Sequence, residues 1–483
     1  MAGIGDVARS TPDAAALLTM GGPISFEELN LRQSRLAGAF KSAGLARGDR
    51  IAVLSKNRPE YLEVTIAALR AAIVPVPINA LLTPPEIEYI LEDSGARWLF
   101  TDRTFEQLPD LDRIVTFGDA YERCLFEEEP VTLSDVALGR PMHYTSGTTG
   151  SPKGVWVEPY DADKGQEVST RFRELWGLRA DERHLVVSPL AHSAPHRFAL
   201  RTLEAGGMVV LQPKFEAREV AAAIELFGIT SAFMVPTHLE RILDLSARHD
   251  ASSIRMLAHA GAPIREETKR RAIEFFPDGA LWEFYGSTEG QATRISSEEW
   301  LRNPGSVGKP LPGGRIDVID DERNEQRGRG EVGEVWVHDP SGERFRYWND
   351  DERTRQAWRG DSFTVGDLGY LDHDGYLFLT GRRHDTIITG GINVYPQEVE
   401  RVLHQHPSVG EVVVYGVAHD EWGQEVHAAI VPAQNMPFDV ELLQGWAREH
   451  LAGFKCPRRF HIVDALERTP TGKLKRTPPP GVG

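Results

Sequence analysis

Cysteine is nearly absent from this chain of 483 residues: only Cys124 and Cys456 occur, far apart in sequence. Two isolated thiols exclude a disulfide framework and a metal knuckle, and they point to a reducing compartment, the cytosol. No apolar run approaches the ~20 residues that cross a bilayer, so no integral membrane contact is expected. Met1–Ala14 carries Asp6, Arg9 and Asp13 without an apolar core and does not read as a signal peptide. Basic charge is also short. With 54 Lys and Arg against 71 Asp and Glu, the formal net charge is −17, which argues against a nucleic-acid partner. Small phosphate ligands are not excluded, because local backbone N–H groups and a few cations hold them whatever the global charge. Several catalytic signatures are missing too: His-Glu-x-x-His, the Gly-x-Ser-x-Gly elbow, Cys-x-x-Cys, and a Gly-x-Gly-x-x-Gly in a βα unit.

What is present is an ordinary globular composition, 41% hydrophobic and 26% charged, in a chain long enough for at least two domains. Apolar residues at helical spacing (Phe26, Leu29, Leu31, Leu36, Phe40) predict a helix over Phe26–Ala43. Strand Asp49–Leu54, helix Pro59–Ala72, strand Val74–Pro77, helix Pro84–Ser94 and strand Trp98–Thr101 continue an α/β alternation. Leu185–Ser188, Met208–Leu211, Ala232–Val235 and Met256–Ala260 read as further buried strands, with a helix over Val220–Phe227. From about Pro304 the strands shorten and Gly and Pro become frequent, which suggests a β-rich subdomain. The polar stretch Arg382–Asp385 reads as a linker into an α+β unit of roughly one hundred residues. The expected organisation is α/β: a large N-terminal domain over 1–383 and a small mobile C-terminal lid over 384–483.

The strongest chemical signal is the stretch from Met142 to Gly154, in which Thr145, Ser146, Gly147, Thr148, Thr149, Gly150 and Ser151 lead to Lys153. Glycines let backbone N–H groups turn toward an anion, hydroxyls add donors, and lysine adds charge, so the loop reads as a phosphate cradle. Gly154 after the lysine, where a P-loop has Ser or Thr, sets it apart from that motif. Read blandly it is a flexible surface loop, which its order of hydroxyls, glycines and lysine makes the poorer reading.

That loop is followed in order by Tyr285-Gly286-Ser287-Thr288-Glu289, Gly366-Asp367-Leu368-Gly369-Tyr370, Gly381-Arg382, Gly390-Gly391-Ile392-Asn393-Val394-Tyr395-Pro396 and Pro470-Thr471-Gly472-Lys473. This series resembles the adenylate-forming acyl-CoA synthetases, related to luciferases and peptide-synthetase adenylation domains, over almost the whole chain. The resemblance implies ATP, Mg²⁺ and coenzyme A. Tyr285 would lie against adenine, Thr288 would reach the α-phosphate and Glu289 would help hold Mg²⁺, which one carboxylate plus phosphate and water can satisfy. Asp367 would accept both ribose hydroxyls, and Arg382 would add a ribose or phosphate contact. Ala260-Gly261-Ala262-Pro263 would form a wall for purine and acyl group. Lys473 would bridge carboxylate and α-phosphate during adenylation, and Gly390-Gly391 would line the thiol tunnel. His192 would gate the mouth of the acyl pocket, and Phe198 and Phe284 would shape that pocket. The hinge falls at His384, where relatives commonly carry Lys or Asp; His196 has no assigned role.

The reaction so implied is carboxylic acid plus ATP to acyl-AMP and pyrophosphate, then transfer to the CoA thiol, with a bulky or apolar acid as substrate. Three alternatives stay open: a carrier-protein phosphopantetheine acceptor, an enzyme performing only the thioester half-reaction, and a non-enzymatic nucleotide-binding scaffold. The intact Lys153, Glu289, Asp367 and Lys473 count against the scaffold, and nothing favours light-emitting chemistry. Oligomeric state is left open, a homodimer included.

Overall fold

Runs of Val, Ile, Leu and Phe without polar alternation need cover on both faces, and parallel strands between helices provide it. The computed structural model describes residues 3–19, 21–105, 108–145, 152–246, 249–320, 325–389, 392–419, 422–434, 436–468 and 474–479. The chain is mixed α/β, with a large N-terminal part and a smaller C-terminal one. By density of internal contacts it forms two units, one of residues 1–302 and 339–357, the other of 303–338 and 358–483.

In the first unit a four-stranded parallel sheet runs in the order Val74–Ile78, Arg50–Leu54, Trp98–Thr101, Arg113–Thr116. A second sheet has the order Gln291–Ser296, Leu281–Gly286, Met256–His259, Ser231–Met234, Arg183–Val186, Met208–Leu211, Ala15–Thr19, Gly22–Ser25. Its interior pairs are parallel and its two outer pairs antiparallel. A three-stranded antiparallel ribbon joins Arg346–Tyr347, Lys153–Trp156 and His143–Thr145. The parallel strands bury continuous apolar side chains, Ile51, Val53, Trp98 and Phe100 among them, so ligand loops emerge at strand ends.

The helix expected over Phe26–Ala43 spans Phe26–Ser42, and Ser25 caps it by accepting from the Glu28 N–H at 3.1 Å. Phe26, Leu29, Leu36 and Phe40 are buried, but Leu31 is 43% exposed. Two residues beyond Leu29 lie ~200° around the helix, on its outer face, so Leu31 does not belong to the core stripe. The helix expected over Pro59–Ala72 ends at Arg70, and Ala72 takes a left-handed φ of 58°.

The second unit is β-rich. Glu325–Gln326, Arg315–Asp320, Gly333–His338, Ser362–Phe363 and Trp358–Arg359 form one path, joined by Asp367–Leu371 and Leu377–Arg382. A five-stranded sheet of Ile392–Val394, Ile387–Thr389, Gly423–Pro432, Val409–His419 and Arg459–Ile462 packs with helices Pro396–His404 and Val440–His450. The stretch read as a linker is ordered: Arg382 ends a strand and Arg383–Asp385 form a single 3₁₀ turn.

Several histidines are buried and neutral. Burial pushes His184 and His196 down to about 3. A histidine depressed on folding contributes stability that is complete above its unfolded value of ~6.5 and is lost as pH falls toward the folded value. Between pH 6.5 and 5, each should therefore remove up to ~1.4 kcal/mol per pH unit from the unfolding free energy. Urea unfolding at stepped pH checks this, and His196→Gln should remove one such share of the slope.

Candidate functional site

The hydroxyl loop hangs on a hairpin. His143, Tyr144 and Thr145 pair with Val155, Gly154 and Lys153 in antiparallel register. Ser146, Gly147, Thr148, Thr149, Gly150 and Ser151 lie outside the described residues. The stems are anchored: Tyr144 Oη donates to Asp93 Oδ2 at 2.6 Å, and Tyr89 Oη donates to the Pro152 carbonyl at 3.1 Å. Gly154 packs tightly: a Cβ there would lie 2.4 Å from Met142 Cε and 3.1 Å from the Tyr144 ring, so a larger residue would have to displace the methionine methyl. The sequence reading took Gly154 only as the residue that separates this loop from a P-loop. Lys153 donates to Asp350, and that contact holds the Asp350 carboxyl below the usual carboxylate range. The lysine read as a phosphate cation thus has a protein counter-ion, supplied from 197 residues away.

Tyr285 and Gly286 end a strand of the large sheet, and the chain then turns tightly, with the Ser287 N–H bonded to the Gly290 carbonyl at 2.8 Å. A Cβ on Gly286 would fall 2.9 Å from the Gly290 carbonyl oxygen, so the turn needs glycine. Thr288 and Glu289 sit on this turn. Glu289 is 7% exposed; Tyr347 Oη donates to its Oε1 at 2.9 Å, and the Arg140 guanidinium donates to its main-chain carbonyl at 3.3 Å. Burial, then the Glu289 charge, raises the Tyr347 hydroxyl. Tyr347 and Arg140 were missed by sequence reasoning. The only local signal was the polar-aromatic run Arg346-Tyr347-Trp348, which does not reveal its partner.

The donor set fits a phosphate-bound Mg²⁺. Ser287 Oγ is buried with no hydrogen-bond partner among the described residues, as expected of a group awaiting a ligand. Among the described residues no cluster of three or more His, Cys, Asp or Glu could hold a metal alone, so a cation at Glu289 would need phosphate oxygens and water to complete its shell. Tyr347→Phe should lower kcat/KM for ATP about 5–10-fold, the worth of one buried hydrogen bond, and raise the Mg²⁺ concentration for half-maximal rate. A magnesium titration of both proteins is the check.

Ala260 follows the strand Met256–His259, and Gly261 takes φ +92°. A Cβ at Gly261 would meet only Val235 at 3.6 Å, so conformation and not crowding selects glycine there. Ala262 and Pro263 are exposed beside it. His192 is the half-buried N-cap of the helix Ser193–Ala205. His196, one turn on, is buried and bonded to Thr65 Oγ1 at 2.9 Å. Phe198 and Phe284 belong to an aromatic cluster with Trp176 and Phe233, ring centroids 5.2 to 6.4 Å apart. Phe198 is only 1% exposed and presents no free face.

In the second unit, Asp367 and Arg382 face each other in register, and Arg382 Nε donates to Asp367 Oδ1 at 2.9 Å. Gly366 takes φ +79° before that strand. His384 is exposed on the 3₁₀ turn, and the adjacent Asp385 pairs with Arg476 at 3.1 Å, a contact the sequence did not signal. Gly390, Gly391 and Lys473 lie outside the described residues.

An α/β scaffold carrying a glycine-hydroxyl hairpin and an aromatic-hydroxyl-carboxylate turn defines a nucleotide-binding enzyme. The chain belongs to the AMP-binding enzyme family: the family model matches residues 5–344, and that of the AMP-binding enzyme C-terminal domain matches 398–473. It is 34% identical to the fatty acid–[acyl-carrier-protein] ligase ScoC of Streptomyces coeruleorubidus, over 97% of this chain and 93% of that protein. It is also 34% identical to feruloyl-CoA synthase of an Amycolatopsis species, over 97% and 95% of the two chains. Among solved structures, o-succinylbenzoate CoA synthetase (MenE) of Bacillus subtilis with its acyl-adenylate superposes with a TM-score of 0.86 at 29% identity, covering 98% of this chain and 96% of that one. The resemblance drawn from the ordered motifs is borne out.

Proposed function

We propose that this chain is an ATP-dependent acid–thiol ligase that converts a carboxylic acid to an acyl-AMP and then to an acyl thioester of CoA. A carboxylate is a poor acyl donor because its leaving group would be oxide. Attack of its oxygen on the α-phosphate of ATP gives a mixed anhydride, with pyrophosphate released; the thiol then displaces AMP. The protein's task is to hold two anions in line and neutralise the charge they share. Glu289 would help hold Mg²⁺, which would supply positive charge against the phosphates. Tyr347 and Arg140 hold Glu289 in place, the hairpin from Thr145 to Lys153 cradles the phosphates, and Tyr285 stacks on adenine. Asp367 binds ribose with Arg382 beside it, and Lys473 enters for adenylation. The lid begins at His384, and Gly390 and Gly391 line the thiol path. The aromatic cluster behind Phe198 and Phe284 supports an acid with a bulky apolar body.

The buried Glu289, fixed by Tyr347 at 2.9 Å on the turn that carries Thr288, is the observation on which this reading rests. Pyrophosphate release over a panel of acids, with CoA present, tests it. Acid-dependent release with thioester formation is expected, and release without thioester assigns the acceptor elsewhere. A carrier-protein thiol is the second reading, favoured by the likeness to the carrier-protein ligase ScoC. Comparing CoA with holo-carrier protein as acceptor separates the two. Two buried free thiols fit a cytoplasmic setting, and among the described residues no helix is long and apolar enough to cross a membrane.

A further inference from the structure

Lys153 stands at the foot of the hydroxyl loop, and the carboxylate it meets is built into the fold. Its Nζ donates to Asp350 Oδ2, while Asp350 Oδ1 accepts from the Arg353 N–H at 2.9 Å and so caps the helix Asp351–Ala357. Lys153, and then the Arg353 N–H, hold the Asp350 carboxyl below the usual carboxylate range, so it is ionised at neutral pH. Asp350 ends a turn that starts at Tyr347, its N–H bonded to the Tyr347 carbonyl at 3.2 Å. Trp348 braces that turn twice, from its main-chain N–H to the Gly154 carbonyl at 2.8 Å and from its indole to the Asp93 carbonyl at 2.9 Å. Asn349 takes a left-handed φ of 54°, and its side-chain amide donates to the Asp93 carbonyl at 3.1 Å and to Asp93 Oδ1 at 3.2 Å. A residue with a side chain rarely adopts that conformation, and here its partners impose it. Asp93 Oδ2 is the acceptor of Tyr144, on the strand that leads into the loop.

The two members of the ion pair therefore differ in freedom. Asp350 is fixed on a braced turn, and Lys153 reaches it on a flexible stem. Their side chains are 20% and 26% exposed, so water reaches the pair and its net worth is small. A polyphosphate carries several charges and outcompetes one carboxylate for the lysine. The same turn carries Tyr347, whose hydroxyl holds Glu289, so one short segment touches both the metal carboxylate and the phosphate cation. A ligand that must displace an internal partner binds more weakly, in proportion to the fraction of time that partner lets go.

We propose that Asp350 is the resident counter-ion of Lys153, displaced when polyphosphate binds and taking the lysine back as pyrophosphate departs. Acting through Lys153, it weakens the hold on ATP and on pyrophosphate alike. The proposal rests on the ligase reading and assigns to the same site a residue that sets product release.

Isothermal titration with pyrophosphate and with ATP, Mg²⁺ present and acid absent, tests it on the parent protein, Asp350→Asn and Asp350→Glu. Asn still caps a helix, so Asp350→Asn removes the charge and little else. It should bind both ligands about 5–10-fold more tightly, the gain expected from a pair closed about 80–90% of the time. Asp350→Glu restores the charge and should stay within about twofold of the parent, and in a Lys153→Met background Asp350→Asn should tighten binding less than about twofold. A merely structural role would weaken binding instead. Unchanged or weaker binding in Asp350→Asn overturns the proposal. So does equal tightening once Lys153 is Met, which would make Asp350 a repelling charge that acts without the lysine. If the binding pattern holds but no acid releases pyrophosphate, the ligase reading fails and the counter-ion stands. Release over the acid panel without tighter binding in Asp350→Asn sinks the counter-ion alone, and a parent protein that binds neither ligand overturns both.

Discussion

Lys473→Ala should slow adenylation by ~10²–10³-fold while leaving thioester formation from preformed acyl-AMP close to the parent rate. The reasoning is electrostatic. When the carboxylate oxygen approaches the α-phosphate, two anions are forced together, and a point cation between them stabilises the transition state more than the separated ground state. Thioester formation has a neutral thiol or thiolate attacking an acyl carbon and a departing AMP, and does not call on the same cation. Single-turnover pyrophosphate release and, separately, CoA addition to synthetic acyl-AMP measure the two halves. Equal losses in both halves would contradict the assignment, because Lys473 would then be needed by the fold or by both lid positions.

The largest effect on stability is expected at Lys269. This side chain is 0% exposed, on the helix Glu266–Phe275, between two strands of the large sheet. Its Nζ donates to His259 Nε2 at 2.5 Å and to Glu283 at 2.8 Å, and it lies 5.6 Å from the Trp300 ring centroid. For His259 to accept at Nε2 its proton must be on Nδ1, which has no partner among the described residues. Burial lowers Lys269, partly opposed by Glu283, and burial with the neighbouring Lys269 charge depresses His259, so the histidine stays neutral. Lys269→Met keeps the volume but strands the Glu283 carboxylate, which should cost ~3–5 kcal/mol. Lys269→Met with Glu283→Leu should regain most of that loss, because removing both charges together removes the desolvation penalty as well. Urea midpoints of the three proteins give the comparison. The strands concerned, Met256–His259 and Leu281–Gly286, lead into Gly261 and the Tyr285–Glu289 turn. Activity of Lys269→Met at temperatures where it is still folded therefore reports how far the clamp also positions the site.

Much of the architecture could be read in advance where the cause is local. The strands at Trp98–Thr101 and Met208–Leu211 and the helix starting at Phe26 follow from apolar runs and spacing, set by neighbours along the chain. Leu31 failed because spacing was counted more loosely than a helix turns. Within the stretch read as a linker, the 3₁₀ turn at Arg383–Asp385 is held by partners such as Arg476, which composition does not reveal.

The sequence alone determined the order of the motifs, and hence the family and its chemistry. These depend on residue types a few positions apart, within reach of backbone geometry. Only the tertiary structure decided that Lys153 meets Asp350, that Tyr347 holds Glu289, and that Lys269 bridges His259 and Glu283. Each depends on which strands and helices lie side by side, and a charge or hydroxyl in a linear sequence carries no mark of the partner that folding brings to it.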